Sequence, residues 1–209
     1  AEALRDFFGD GTQGLDALDS FLAGQGASPL PVLIVSDTGT SGLQGPTSAA
    51  QHFQGRDDFV SFVRNIGRRA EKEIRGGTYG FGKGVFFNMS DSQTVLIYSR
   101  TKDENGKPVR RFIAMANSNG YARGDYNFTG RHWWGEKAHG ITNSVYANPF
   151  TGADADSLAR TFMMDSHFTE DRPSGTSVAV IDPQIDADEV ENVMNVIANA
   201  LTKWAWPHM

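Results

Sequence analysis

Val32-Leu33-Ile34-Val35-Ser36-Asp37-Thr38-Gly39-Thr40-Ser41-Gly42-Leu43 begins with four apolar residues in a row and ends in hydroxyls, one carboxylate and two glycines. A short continuous apolar run is the pattern of a strand buried on both faces. Polar and glycine residues directly after such a strand lie at the end of a sheet, where mixed α/β folds usually carry their ligand-binding groups. Upstream, Ser28-Pro29-Leu30-Pro31 is a rigid connector. Before it, residues 12–23 place Leu15, Leu18, Phe21 and Leu22 on one helical face, and Gly24-Gln25-Gly26 ends that helix.

Downstream, residues 44–56 have the composition of a loop. Asp57 or Asp58 caps a predicted helix whose stripe is Phe59, Phe62, Val63 and Ile66. A second informative stretch comes next, Gly76-Gly77-Thr78-Tyr79-Gly80-Phe81-Gly82-Lys83-Gly84. Glycine weakens helix and strand interiors alike, so this density marks backbone that turns tightly or approaches something closely. Bare backbone N–H groups beside a lysine suit an anion, most often a phosphate. Val85 to Met89 continue as a short buried helix.

The remaining chain supplies strands and one clear helix. Thr94–Ser99 is a predicted strand, Asp103-Glu104-Asn105-Gly106 a turn, and Val109–Ala116 its antiparallel partner. Residues 117–150 are rich in Gly, Asn and aromatics and take no assignment. Leu158 to Phe162 form a short helical turn, and Ser177–Ile181 a buried strand ended by Asp182-Pro183. Val190, Val193, Met194, Ile197, Leu201 and Trp204 recur at helical spacing, with Asp186 or Asp188 near the start. With 209 residues and no repeat or low-complexity linker, residues 1–209 form one domain, with 117–170 as a candidate insertion.

Composition narrows the function classes. Hydrophobic residues are 39% and charged residues 21%, as in a water-soluble globular domain, and no apolar run approaches the roughly 20 residues of a membrane span. The net charge of −6 does not advertise a duplex-binding surface. Arg64, Arg68, Arg69, Lys72 and Arg75 form a local basic group, for which a solvated helix face is favoured over a nucleic-acid contact. The absence of cysteine excludes thiolate nucleophiles, disulfides and cysteine-zinc sites, and a cytoplasmic location is expected. His132, His139 and His167 lack metal-ligand spacing, and Asp154, Asp156 and Asp165 form no cation loop.

Three chemistries compete for the two glycine-containing stretches. Gly77 to Lys83 satisfies Gly-x4-Gly-Lys, but Gly84 stands where a P-loop needs a magnesium-binding Ser or Thr, and charged residues replace the preceding strand. Asp37-Thr38-Gly39 also resembles the aspartic-protease motif, whose mechanism needs two carboxylates sharing a proton. No second Asp-Thr/Ser-Gly exists, because Asp165-Ser166 is followed by His167. The third candidate takes three motifs in order: Asp37-x-Gly39 after a strand, Gly77-x-x-Gly80-x-Gly82-Lys83 before a helix, and Gly175-Thr176-Ser177-Val178 opening a late strand.

In that order the motifs resemble the GHKL (Bergerat-fold) ATPases, the superfamily of gyrase B, the ninety-kilodalton heat-shock chaperone and histidine kinases. The nearest likeness is to bacterial members with Asp-x-Gly-Thr-Ser/Thr-Gly-Leu and Gly-Gly-Ser/Thr-Tyr-Gly-Phe-Gly-Lys. It covers about residues 30–182. The resemblance implies a two-layer α+β sandwich, with a mixed, mostly antiparallel sheet and helices on one face. It also implies ATP, with Mg²⁺, held between the sheet and a glycine-rich lid. Asp37 would accept a hydrogen bond from the adenine amino group, Gly39 and Gly42 would let backbone pass under the purine, and Thr176 would join the adenine-side network. Gly77, Tyr79, Gly80, Phe81, Gly82 and Lys83 would fold over the phosphates. The implied partners are ATP or ADP and, on ATP binding in the parent protein, a second copy; no membrane is implied, and nucleic acid only indirectly.

The chain departs from the family pattern in two places. Thr40-Ser41 put one more residue before Gly42 than the commoner Asp-x-Gly-x-Gly pattern has, a spacing the bacterial subgroup shares. The Glu-x-x-x-Asn helix, whose Glu polarises the attacking water and whose Asn holds Mg²⁺, is not found. Glu2 is followed at the fourth place by Asp6, and Gly9 and Gly11 break that helix. The catalytic helix is expected upstream of Ala1, so binding is expected of this chain and turnover of the parent. A binding or scaffold module without turnover and a protease-like hydrolase using Asp37 are the alternatives.

Overall fold

Two long strands joined by a tight turn form the centre of the fold. β2 (Ser90–Lys102) and β3 (Pro108–Asn117) pair antiparallel from Thr94↔Ala116 to Lys102↔Pro108. Asp103 Oδ1 accepts hydrogen bonds from the backbone N–H groups of Asn105 (2.9 Å) and Lys107 (2.8 Å) to shape the turn, and Gly106 supplies the left-handed residue at φ +77°. The computed structural model describes residues 2–9, 12, 14–24, 30–50, 53–65, 84–139, 145–185 and 190–204.

Around this hairpin the main sheet has six strands. β1 (Val32–Thr38) pairs with β10 (Gly175–Pro183), β10 with β2, and β3 with both β6 (Arg131–Trp134) and β9 (Phe150–Thr151). Every described pairing is antiparallel. The chain is thus of the α+β class. The segment 117–150, unassigned from sequence, also forms the short ribbons β4–β5 (Tyr121–Arg123, Tyr126–Phe128) and β7–β8 (Glu136–His139, Val145–Asn148). Within 117–170, β6 and β9 belong to the main sheet, and Ala155 and Ala159 to its core.

Strand alternation splits the core in two. Leu96, Tyr98, Phe112, Ala114, Ala179 and Ile181 face one side, where α1 (Glu2–Phe8), α2 (Asp16–Ala23) and α4 (Gly152–Thr161) add Leu4, Phe8, Leu18, Leu22, Ala155 and Ala159. Val95, Ile97, Ile113, Met115, Val178 and Val180 face the other. There Phe59 and Val63, around a π-helical turn at Val60–Arg64, and Phe87 of α3 (Gly84–Asn88) cover the sheet. Helices on one face only, the sequence expectation, is therefore corrected. Both central strands carry continuous apolar runs whose side chains point alternately to the two faces, so each face presents a surface that needs a cover, and each fully buried Leu or Ile contributes about 1.5–3 kcal/mol.

Two further expectations change. Val32–Val35 is not buried on both faces: β1 lies at the sheet edge, with Val32 and Val35 37% and 44% exposed. The predicted turn at 158–162 is the end of a longer helix, α4, whose first half is polar and small. Its alanines permit close approach to β3 where a larger stripe would have been easier to detect. α5 (Val190–Trp204) forms as its periodicity predicts, yet none of its described side chains belongs to either core cluster, and Met194 and Leu201 are more than half exposed.

Tyr98 anchors one end of the first face. Its hydroxyl donates to Asp156 Oδ1 at 2.8 Å and accepts from Arg100 Nε at 2.8 Å, and burial pushes its pKa up to about 12, so it stays neutral. At the other edge Phe128, Tyr121, His132 and Trp134 form a ladder of stacked rings at 5.1, 5.7 and 5.8 Å centroid spacing. Desolvation lowers the His132 pKa, and its Nε2 is buried with no hydrogen-bond partner among the described residues. Protonation would place a charged N–H there with nothing to receive it. A histidine whose folded pKa lies below its unfolded value gives stability that is present above the unfolded pKa of about 6.5 and falls as pH drops below it. The urea midpoint of the wild type is predicted to fall between pH 7 and pH 5 by more than that of His132→Phe, which keeps a ring in the ladder. Equal falls in the two proteins would contradict this account of His132.

Candidate functional site

Strand register brings together residues that lie far apart in sequence. Asp37 on β1 pairs with Thr176 on β10, Thr176 with Ser99 on β2, and Ser99 with Arg111 on β3. These four form a polar row across four strands on one face. The next row inward on that face is Val35, Val178, Ile97 and Ile113. The apolar floor thus ends in one carboxylate, two hydroxyls and one guanidinium.

Glycine makes the close approaches in this row. Gly175 has φ +148°, and a Cβ there would lie 2.2 Å from the Asp37 carbonyl oxygen. Only glycine lets β1 and β10 stay paired to their ends. Gly39, at φ +77°, donates its N–H to the Ser174 carbonyl at 2.8 Å. Gly42, at φ +62°, sits where a Cβ would meet the Arg100 carbonyl oxygen at 2.3 Å and the Gly175 carbonyl oxygen at 3.0 Å. The loop after β1 consequently folds back over the ends of β10 and β2.

Side chains of the sheet hold that loop. Ser99 Oγ accepts from the Leu43 N–H at 2.8 Å, donates to the Gly175 carbonyl at 3.1 Å, and lies 3.3 Å from Thr176 Oγ1. Thr101 Oγ1 donates to the Ser41 carbonyl at 2.8 Å, and Arg111 Nη1 to the Leu43 carbonyl at 2.9 Å. The Arg111 guanidinium stands 5.2 Å from the Phe59 ring centroid, and burial lowers its pKa from the usual guanidinium range.

Asp37 is exposed, and both its oxygens are already engaged. Oδ1 accepts the Thr176 backbone N–H, and Oδ2 accepts the Thr40 hydroxyl at 2.8 Å. An ionised carboxylate offers about four lone-pair sites, so acceptor capacity remains on the solvent side. The partners of both oxygens come from threonines, whereas a protease-type pair would place a second carboxylate there.

Among the sequence candidates, the structure thus assembles Asp37, Gly39, Gly42 and Thr176. Gly77, Tyr79, Gly80, Phe81, Gly82 and Lys83 lie outside the described residues, as do Arg68, Arg69, Lys72 and Arg75. Arg64 departs from the solvated reading: it is partly buried, donating through Nε to the Thr47 carbonyl (3.1 Å) and through Nη2 to the Ala147 carbonyl (2.6 Å), beside the Trp133 ring. Among the described residues no group of three His, Asp or Glu is placed to hold a metal ion, and no helix is long and apolar enough to cross a membrane.

No protein-family model matches the chain, and no curated protein or solved structure gives a significant match. Sequence reasoning missed Thr40, Ser99 and Arg111. Thr40 was legible only as an extra residue in the glycine spacing, and Ser99 and Arg111 carry no signal beyond lying on predicted strands. Gly42→Ala combines a left-handed backbone with a clash against fixed carbonyls, and is predicted to lower stability by about 2 kcal/mol or more. Denaturant unfolding checks this: a midpoint equal to wild type would show that the loop does not depend on that approach.

Proposed function

We propose that this chain is an adenine-nucleotide-binding domain of the GHKL (Bergerat) type, holding ATP between the sheet and the glycine-rich stretch at 76–84. The observation that carries the proposal is the direct register pairing of Asp37 with Thr176, 139 positions apart, with the loop of Gly39 and Gly42 folded beside them. A purine needs a flat approach to backbone, one acceptor for its exocyclic amino group, and hydroxyls for its remaining edge. Asp37, Thr176 and the loop at 39–43 offer these together, next to the apolar row of Val35 and Val178. Guanine carries a carbonyl where adenine carries the amino group, so an acceptor-only carboxylate there disfavours it.

The residue types also fit the phosphates. Gly77, Gly80, Gly82 and Lys83 precede α3 in sequence, and backbone N–H groups with one lysine suit a polyphosphate. Mg²⁺ would neutralise phosphate charge when bound. Its usual Asn ligand in the resembled family has no counterpart in α1, where exposed Glu2 and Asp6 stand at the corresponding spacing. Binding with lid closure and pairing of two copies is accordingly the proposed output, and hydrolysis is not proposed for α1 as it stands. A binding module without turnover is the same site without chemistry.

Titration of wild type and Asp37→Asn with a non-hydrolysable ATP analogue and Mg²⁺ tests the reading. Loss of one hydrogen bond to a charged group predicts an affinity at least about ten-fold weaker for the variant. Equal affinities would remove Asp37 from the site.

A further inference from the structure

Asp37 is an exposed carboxylate on an edge strand, yet its orientation is fixed more firmly than exposure alone would allow. The torsion that turns a carboxylate about its Cβ–Cγ bond is broad and weakly restrained. A bond to one oxygen leaves that rotation largely open; bonds to both oxygens close it. The Thr176 backbone N–H is supplied by strand pairing and is present whatever side chain occupies position 40. The second bond, from Thr40 Oγ1 to Oδ2 at 2.8 Å, depends on one hydroxyl.

That hydroxyl is itself held. The Thr40 carbonyl accepts the Ser174 hydroxyl at 2.6 Å, and the Ser174 carbonyl accepts the Gly39 N–H at 2.8 Å, so the two segments are clipped in both directions. The Gly42 N–H points to Thr40 Oγ1 at 3.4 Å, a long contact that leaves the hydroxyl proton directed to the carboxylate. Threonine's branched Cβ further restricts where its Oγ1 can sit. The residue that lengthens the spacing between Gly39 and Gly42 is thus built into the carboxylate's own support.

We propose that Thr40 is the positioning residue of the site, aiming the free lone pairs of Asp37 at the ligand and so setting the discrimination for a base that carries an amino donor. The inference rests on the nucleotide reading above. Pre-organised acceptors gain affinity because the ligand does not have to order them. Without the Thr40 hydroxyl the carboxylate is held through one oxygen only, and the gain from a matched donor falls. Interactions with phosphates and with the flat faces of the base stay as they were.

The experiment measures the affinity of wild type, Thr40→Val and Thr40→Ser for two ligands with Mg²⁺: a non-hydrolysable ATP analogue, and the matching purine riboside triphosphate analogue with hydrogen in place of the amino group. Denaturant midpoints confirm that each variant is folded. In wild type the amino-bearing ligand is expected to bind roughly ten-fold tighter, the worth of one hydrogen bond to a charged group. In Thr40→Val this ratio is expected to collapse toward one, through weaker binding of the amino-bearing ligand alone. Thr40→Ser, which keeps the hydroxyl, is expected to restore most of it. Equal weakening of both ligands in Thr40→Val, or a ratio unchanged from wild type, overturns the role of Thr40 alone. Binding of neither ligand by folded wild type overturns the nucleotide reading and this inference with it.

Discussion

The site depends on a contact in which there is no room for a side chain. β1 and β10 run together until the Asp37 carbonyl oxygen occupies the place that a Cβ on Gly175 would need. Because that position is glycine, the pairing reaches Thr38↔Gly175, and Asp37 and Thr176 become cross-strand partners. A larger residue would force the strands apart at Asp37 itself, where its Cβ would meet the carbonyl oxygen. The carboxylate would then lose its backbone donor from Thr176, and the loop at 39–43 would lose the Ser174 carbonyl that receives the Gly39 N–H.

From that contact the polar row arises by register alone. Ser99 and Arg111 are carried into it by the pairing of β10 with β2 and of β2 with β3, and each then bonds the returning loop at Leu43. The same strands that build the apolar floor from Val178, Ile97 and Ile113 therefore also orient the polar end. An edge strand suits this arrangement. Among the described residues β1 has a neighbour on one side only, so the chain leaving it can turn back across the sheet instead of being enclosed between strands.

Much of this was legible in the sequence, for physical reasons that differ by element. The β2–β3 hairpin was visible because β-branched and aromatic residues flank a turn whose Asp and Gly have defined roles. Asp37, Gly39 and Gly42 were visible as a carboxylate and glycines directly after a strand, and Thr176 only through the order of motifs that carries the family resemblance. The edge position of β1 was not: a run of four apolar residues has the same pattern at an edge as in a centre, and pairing partners are non-local. Helices on both faces were hidden for a related reason, since the periodicity of a helix gives its own buried stripe but not which side of a sheet receives it. α4 was shortened because alanine contributes little to a stripe, although Ala155 and Ala159 are fully buried. Thr40 was visible as an extra residue in the glycine spacing, but its role needed the bond to Asp37.

The central claim is that the polar row of Asp37, Thr176 and Ser99, with the loop of Gly39 and Gly42, is the base-binding end of an adenine-nucleotide site. Backbone amide chemical-shift mapping of the isotope-labelled chain during titration with ATP and Mg²⁺ tests it most directly. The account predicts shifts concentrated at residues 37–43, 99 and 175–177 and in the glycine-rich stretch 76–84, with saturation at a single affinity. Absence of shifts, or shifts confined to another surface such as the aromatic ladder at 121–134, would contradict it.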